Sequence, residues 1–324
     1  MGFFPKQNCV DIEAIWEQIL VDCSTDSIFI TPWWQGTWWR RFGTNERISI
    51  EPVRSDGNLL GISPLMIHRR VASFIGDPNV YDYMDFPVMH GKEEEFFEQL
   101  WSNLKTMEWD VLDLRSIVEN SPSLAFLPHL AEESGYIVKV EEAEKTPFIK
   151  LPKTWDIFVA DLRKKDRHEL RRKLRRLNER VDPIQYLVDT SQSILDNMDD
   201  FFYLMEKSGS EKENFLNDGN KEFFKDIARE LSTRGQFKLY FMEIEGRKVA
   251  SCICFDYGDV YFLYNSGYLP EFSFLSIGLL NKAFTIEDAI TNRKVEYNFL
   301  KGNERYKYNL GAQSKIVCDL MIER

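Results

Sequence analysis

The stretch Phe272-Ser273-Phe274-Leu275-Ser276-Ile277-Gly278, followed further on by Asn298-Phe299-Leu300-Lys301-Gly302-Asn303-Glu304-Arg305-Tyr306-Lys307, decides how the chain is read. It follows two apolar, alternating segments at about 237–244 and 248–257 and a third at about 260–265. A helix over about 276–291 and a strand over about 295–300 come next. This order sets a small, Gly-containing turn at a helix N-terminus directly after a paired strand. Unsatisfied N–H groups and the helix dipole at such a point can hold a phosphate-bearing group.

The same order recurs upstream. Strands at about 48–54 and 58–67 flank Ser55-Asp56-Gly57, a third is expected near 71–76, and a helix at about 92–107 precedes a strand near 111–114. A helix at about 122–134 and a strand pair over 136–150 complete this half. One long basic helix (about 155–181) and others near 193–208 and 220–234 open the second half, and a strand at 315–322 closes it. Asp56-Gly57-Asn58-Leu59-Leu60-Gly61 and Glu245-Gly246-Arg247-Lys248-Val249-Ala250 read as one hairpin used twice. Pro147 and Pro152 mark the boundary, giving domains 1–150 and 151–324 and a mixed α/β (α+β) class with two similar, mostly antiparallel sheets flanked by helices.

Composition narrows the partners. The 324 residues carry a net charge of −11, yet the segment 161–180 holds ten Lys/Arg against four acids. That local +6 leaves −17 elsewhere, which speaks against a duplex nucleic-acid footprint but allows a local anion site. No apolar run reaches the length of a membrane span, and Met1-Gly2-Phe3-Phe4-Pro5-Lys6 lacks the pattern of a signal peptide. The scattered cysteines Cys9, Cys23, Cys252, Cys254 and Cys318 fit a cytoplasmic location, and the four histidines have no metal-ligand spacing, so no metal is expected.

Several residues are candidates for chemistry. At the turn, Ser276 is expected to cap the helix while the N–H groups of Ile277, Gly278 and Leu279 point outward and Lys282 supplies charge; the plainer reading is an ordinary N-cap. The upstream counterpart starts His90-Gly91-Lys92-Glu93-Glu94-Glu95, whose carboxylates would repel a pyrophosphate. Along 170–181, Leu170, Leu174, Leu177 and Val181 form a buried stripe, and Arg172 and Arg175 share one side as candidate anion binders or as a solvated face. Asp82, Tyr83 and Asp85 could bind an acceptor amine or take its proton, or simply cap a turn. Trp33, Trp34, Trp38 and Trp39 read as core more readily than as a sugar platform.

Four places, taken in order, resemble the FemABX-like, cellulose-biosynthesis (CelD-like) branch of the GNAT acyltransferase superfamily. They are Thr31-Pro32-Trp33-Trp34 through Phe42-Gly43; Gly76 with Asp82-Tyr83; Leu170-Arg171-Arg172-Lys173-Leu174-Arg175-Arg176; and Gly267-Tyr268 with Ser276-Ile277-Gly278 and Phe299-Leu300-Lys301-Gly302, Tyr306 and Lys307. They span about 29 to 310. The family pattern has Ser-Pro-Gly where this chain has Ser276-Ile277-Gly278, which loses a stiff φ but keeps the small residue. The resemblance implies a double GNAT fold. It also implies an N-acyltransferase moving an acyl group from acyl-CoA, acetyl-CoA foremost, to an amine or hydroxyl of a small-molecule, saccharide or envelope-precursor acceptor. The donor is expected in the second domain and the acceptor beside the first. Main-chain N–H groups at about 264–268 would polarise the carbonyl, Tyr306 would protonate the leaving thiolate, Lys307 would meet a phosphate or oxyanion, and Tyr268 and Lys301 would line the site. The alternatives are an aminoacyl-tRNA-dependent enzyme, which the total charge disfavours, and a degenerate module that binds saccharide or protein without turnover.

Overall fold

The computed structural model describes residues 2–4, 11–43, 46–188 and 190–324. Cys9 and the Pro5–Lys6 part of the N-terminal reading lie outside the described residues. The chain divides into two compact units, Met1–Lys145 with Lys315–Arg324, and Thr146–Ser314.

The first unit runs α1 (Ile12–Leu20), α2 (Pro32–Phe42), β1 (Arg47–Ser55), β2 (Asn58–His68), β3 (Val71–Phe74), α3 (Glu93–Thr106), β4 (Val111–Val118), α4 (Pro122–Glu133) and the larger part of β5 (Ile137–Lys150), which from Thr146 on belongs to the second unit. Thr31 caps α2 through its hydroxyl with Pro32 in the first turn. Its core is aromatic: Trp16, Trp34, Trp109, Phe29, Phe74, Phe86, Phe96 and Phe97 are fully buried, each worth roughly 2–3 kcal/mol of apolar transfer. Trp33 and Trp38 are buried as well and Trp39 is half-buried, so three of the four tryptophans of that cluster are core.

The second unit contains α5 (Trp155–Asp161), α6 (Lys164–Arg180), β6 (Ile184–Val188), α7 (Ser191–Lys207), α8 (Ser210–Phe215), α9 (Asp218–Thr233), β7 (Phe237–Ile244), β8 (Arg247–Tyr257), β9 (Val260–Tyr268), α10 (Ile277–Thr291), β10 (Glu296–Asn298) and α11 (Arg305–Asn309). The last strand, β11 (Gln313–Glu323), pairs with β4 through Val317–Glu323 and so belongs largely to the first unit, although the sequence places 315–322 with the second half. Two further expectations are corrected. The 136–150 segment is one long strand rather than a pair, because nothing in Lys139–Lys145 supplies a turn. The long basic helix is two, α5 and α6, separated where Leu162 and Arg163 are extended (ψ 145 and 141) and Leu162 is buried.

Both units use one strand grammar. In each, two antiparallel pairs (β1–β2–β3, β7–β8–β9) lead to a parallel neighbour (β4, β10) reached through a helix (α3, α10). The hairpins match in detail. Asp56 and Gly57 have φ 49 and 81, and Glu245 and Gly246 have φ 52 and 74, as a type I′ turn requires. Each hairpin also has a register shift just before its turn, skipping Leu60 in one and Val249 in the other.

Candidate functional site

Strand β9 pairs in parallel with β10 only over Val260–Phe262 against Glu296–Asn298. Beyond that, β9 continues to Tyr268 while the other chain turns aside at Leu300 (φ 59). A register shift at Ile253/Cys254 bends β9 at the same level. The strands therefore part, and a cavity of about 570 Å³ fills the opening, lined wholly by residues of the second unit. Leu269 N–H donates to Val249 O, so ladder alternation directs the N–H groups of Ser266 and Tyr268 away from β8 and into the opening. Of the expected main-chain donors at 264–268, that of Ser266 is already met by Asn265 Oδ1 at 3.1 Å, while that of Tyr268 has no partner among the described residues.

The turn into α10 differs from the expectation in an instructive way. Ser276 lies in the left-handed region (φ 60, ψ 31), and its hydroxyl does not cap the helix. Instead it accepts a hydrogen bond from Arg176 Nη2 at 2.9 Å, which ties α6 to the turn. Leu279 N–H bonds back to Ser276 O at 3.1 Å and is not a ligand donor. Ile277 is fully buried. Gly278, half-buried on the cavity wall, has an N–H without a partner among the described residues. A Cβ there would lie 2.9 Å from the Tyr268 ring, so that close approach favours glycine.

Five lysines line the cavity (Lys173, Lys212, Lys282, Lys301 and Lys307) with Glu304 as the carboxylate among them. Lys282 donates to Gly278 O at 3.0 Å and its ammonium lies 5.1 Å from the Tyr306 ring centroid; burial pushes its pKa down. Burial pushes the Tyr306 phenol well above its ordinary value, so it stays protonated and can act as an acid. Lys307 is only 2% exposed and donates to Lys301 O at 2.8 Å and Gly302 O at 3.0 Å while paired with Glu304 at 2.9 Å. Its ammonium is thus committed to the left-handed loop at 300–302, and the expected phosphate or oxyanion contact is replaced by a structural clamp. Lys212 has no motif around it and is not among the sequence candidates; only the fold carries α8 to the cavity wall.

The remaining candidates lie elsewhere. Arg172 is exposed and held by Glu169 at 2.7 Å, lining a separate basic hollow of about 780 Å³ with Arg163 and Arg305. The hydrogen bond from Arg172 holds Glu169 down to about 2. Arg175 faces Glu179 at 3.7 Å, so Arg176 and Lys173, not Arg172 and Arg175, are the α6 cations beside the turn. In the first unit, Tyr83 is buried edge-on to Phe29 and Asp82 is half-buried. Asp85 is buried and accepts from the hydroxyls of Ser121 and Ser123, fixing its loop to the start of α4. Among the described residues no group of His, Cys, Asp and Glu is arranged to hold a metal ion.

Residues 164–308 match the family model of an acetyltransferase (GNAT) domain. No curated relative matches the sequence. The crystal structure of FemX is similar at TM-score 0.68 and 12% identity, with 98% of this chain and 97% of that chain covered. L-PGS from Bacillus licheniformis is similar at TM-score 0.58 and 10% identity (98% and 93% covered). A tandem GNAT protein from the clavulanic acid biosynthesis pathway is similar at TM-score 0.51 and 11% identity (99% and 96% covered). At such identities the likeness is one of fold, and that fold is the tandem GNAT arrangement.

Proposed function

We propose that this chain, a member of the GNAT superfamily with a FemABX-like tandem fold, transfers an acyl group from acyl-CoA to an amine or hydroxyl acceptor by direct attack. The acceptor would be a small molecule, saccharide or envelope precursor. One observation carries the reading: the parted β9–β10 edge opens onto a lysine-lined cavity at the N-terminus of α10. Lysines and helix N–H groups suit the phosphates of the donor, and the open edge of β9 suits its extended arm. The thioester carbonyl would accept from a main-chain N–H of β9, the acceptor nitrogen would attack it, the C–S bond would break, and Tyr306 would protonate the departing thiolate and regain its proton from the one the nitrogen releases. The second unit would hold the donor, with the first on the acceptor side and without cofactor. The buried free thiols Cys252, Cys254 and Cys318 suit a reducing, cytoplasmic setting.

A second reading, aminoacyl transfer from tRNA, is favoured by the exposed Lys164, Lys165, Arg171 and Arg180 of α6. Release of free CoA thiol from acetyl-CoA, followed with a panel of amino sugars and amino acids, tests the first reading. Thiol release above the blank with at least one acceptor is expected. No release with any of them, together with transfer from charged tRNA, would favour the second.

A further inference from the structure

The five cavity lysines differ in what occupies their amines. Lys307 is held by loop carbonyls and Glu304, Lys282 by Gly278 O and the Tyr306 ring, and Lys173 by Glu169 at 3.6 Å. Lys301 is engaged within the chain. Lys212 stands half-buried on the six-residue helix α8, and its amine donates to one carbonyl, that of Ser266. Ser266 lies on the open edge of β9, the wall along which the donor's thioester is placed above.

We propose that Lys212 is a covalent acyl-acceptor site of this cavity, loaded directly from the bound acyl thioester. The neutral amine attacks the thioester carbonyl, an N–C bond forms, the C–S bond breaks, and the proton leaving nitrogen passes to the thiolate. The products are an amide on Lys212 and free CoA. The inference rests on the donor reading of the cavity.

The groups facing Lys212 are Lys282 from α10, Lys307 and Glu304 from α11 and its approach, and Cys252 from β8. Burial first, then the neighbouring Lys282, push Lys212 down to about 8, against smaller opposing effects of Cys252 and Glu304. At pH 7 about a tenth of such an amine is neutral, on the order of a few hundred times the fraction for an ordinary lysine. Acylation removes one positive charge from the cluster and occupies the opening, so the modified chain should bind donor less tightly.

The test incubates the full chain with acetyl-CoA, with S-acetyl-N-acetylcysteamine as a thioester lacking phosphates, and maps adducts by peptide mass spectrometry while calorimetry follows donor binding. Acetylation is expected at Lys212 from acetyl-CoA, faster than from the small thioester. Its rate should rise about tenfold per pH unit up to roughly 8 and then level off. Lys212→Arg should carry no adduct at that position, with its donor affinity read in the same titration. Donor binding without a Lys212 adduct, or equal labelling by both thioesters, would overturn this inference alone. A chain that binds no acetyl-CoA would overturn the donor reading and this inference with it.

Discussion

The two units place a helix after the same parallel-strand step, yet they treat the space there in opposite ways. In the first, residues 81–86 run beside β4 past the end of its pairing with β3, with Met84 N–H donating to Ser116 O at 3.0 Å. The start of α3 is closed by its own Glu93, whose Oε1 accepts from Gly91 N–H at 3.1 Å. Burial opposes ionisation of Glu93, but main-chain N–H groups outweigh it and hold the carboxyl below its ordinary value. In the second unit the opening beyond β10 is kept, the start of α10 carries no acid in its first turn, and lysines face the cavity. A duplicated fold can thus keep its strand order while one copy fills its opening with its own chain and the other leaves it open.

The largest expected effect concerns the filled copy. Burial raises Asp85 from 3.8 to about 6, so the folded chain retains a proton that the unfolded chain releases. Stability should fall as pH rises from about 4 to 6, by roughly 3 kcal/mol from this group. Denaturant midpoints of Asp85→Asn should lack that part of the pH dependence; an unchanged slope would remove Asp85 from the account. On the open side, the double change Lys173→Glu with Lys301→Glu should weaken acetyl-CoA binding about a hundredfold and flatten its salt dependence. Equal affinity would mean that the lysines do not meet the donor. A smaller effect, about tenfold in affinity, is expected for Gly278→Ala, since its Cβ must displace the Tyr268 ring. Glu93→Gln should cost roughly 0.5–1 kcal/mol in thermal unfolding and create no second donor site, because 81–86 still fills the opening. A gain of binding there would break the contrast.

Much of this was legible in the sequence. The paired hairpins were visible as Asp56-Gly57 and Glu245-Gly246, and the acidic start of α3 already set the first copy apart from the second. At 276–278 the helix start is legible, but the part played by its serine is not. A serine before a helix reads as a cap, and its left-handed backbone, which turns the hydroxyl to Arg176, depends on packing against α6. Lys307 illustrates the same limit: a lysine after a Gly-containing loop reads as a ligand group until the fold shows three carbonyls around it. Lys212 had no local signal, because its place depends on how a six-residue helix is carried to β9.

Calorimetric titration of acetyl-CoA into the intact chain tests the central contrast most directly. One saturable site per chain, weakened by salt and by the Lys173/Lys301 reversal, is the predicted result. No saturable binding, or two equivalent sites per chain, would contradict it.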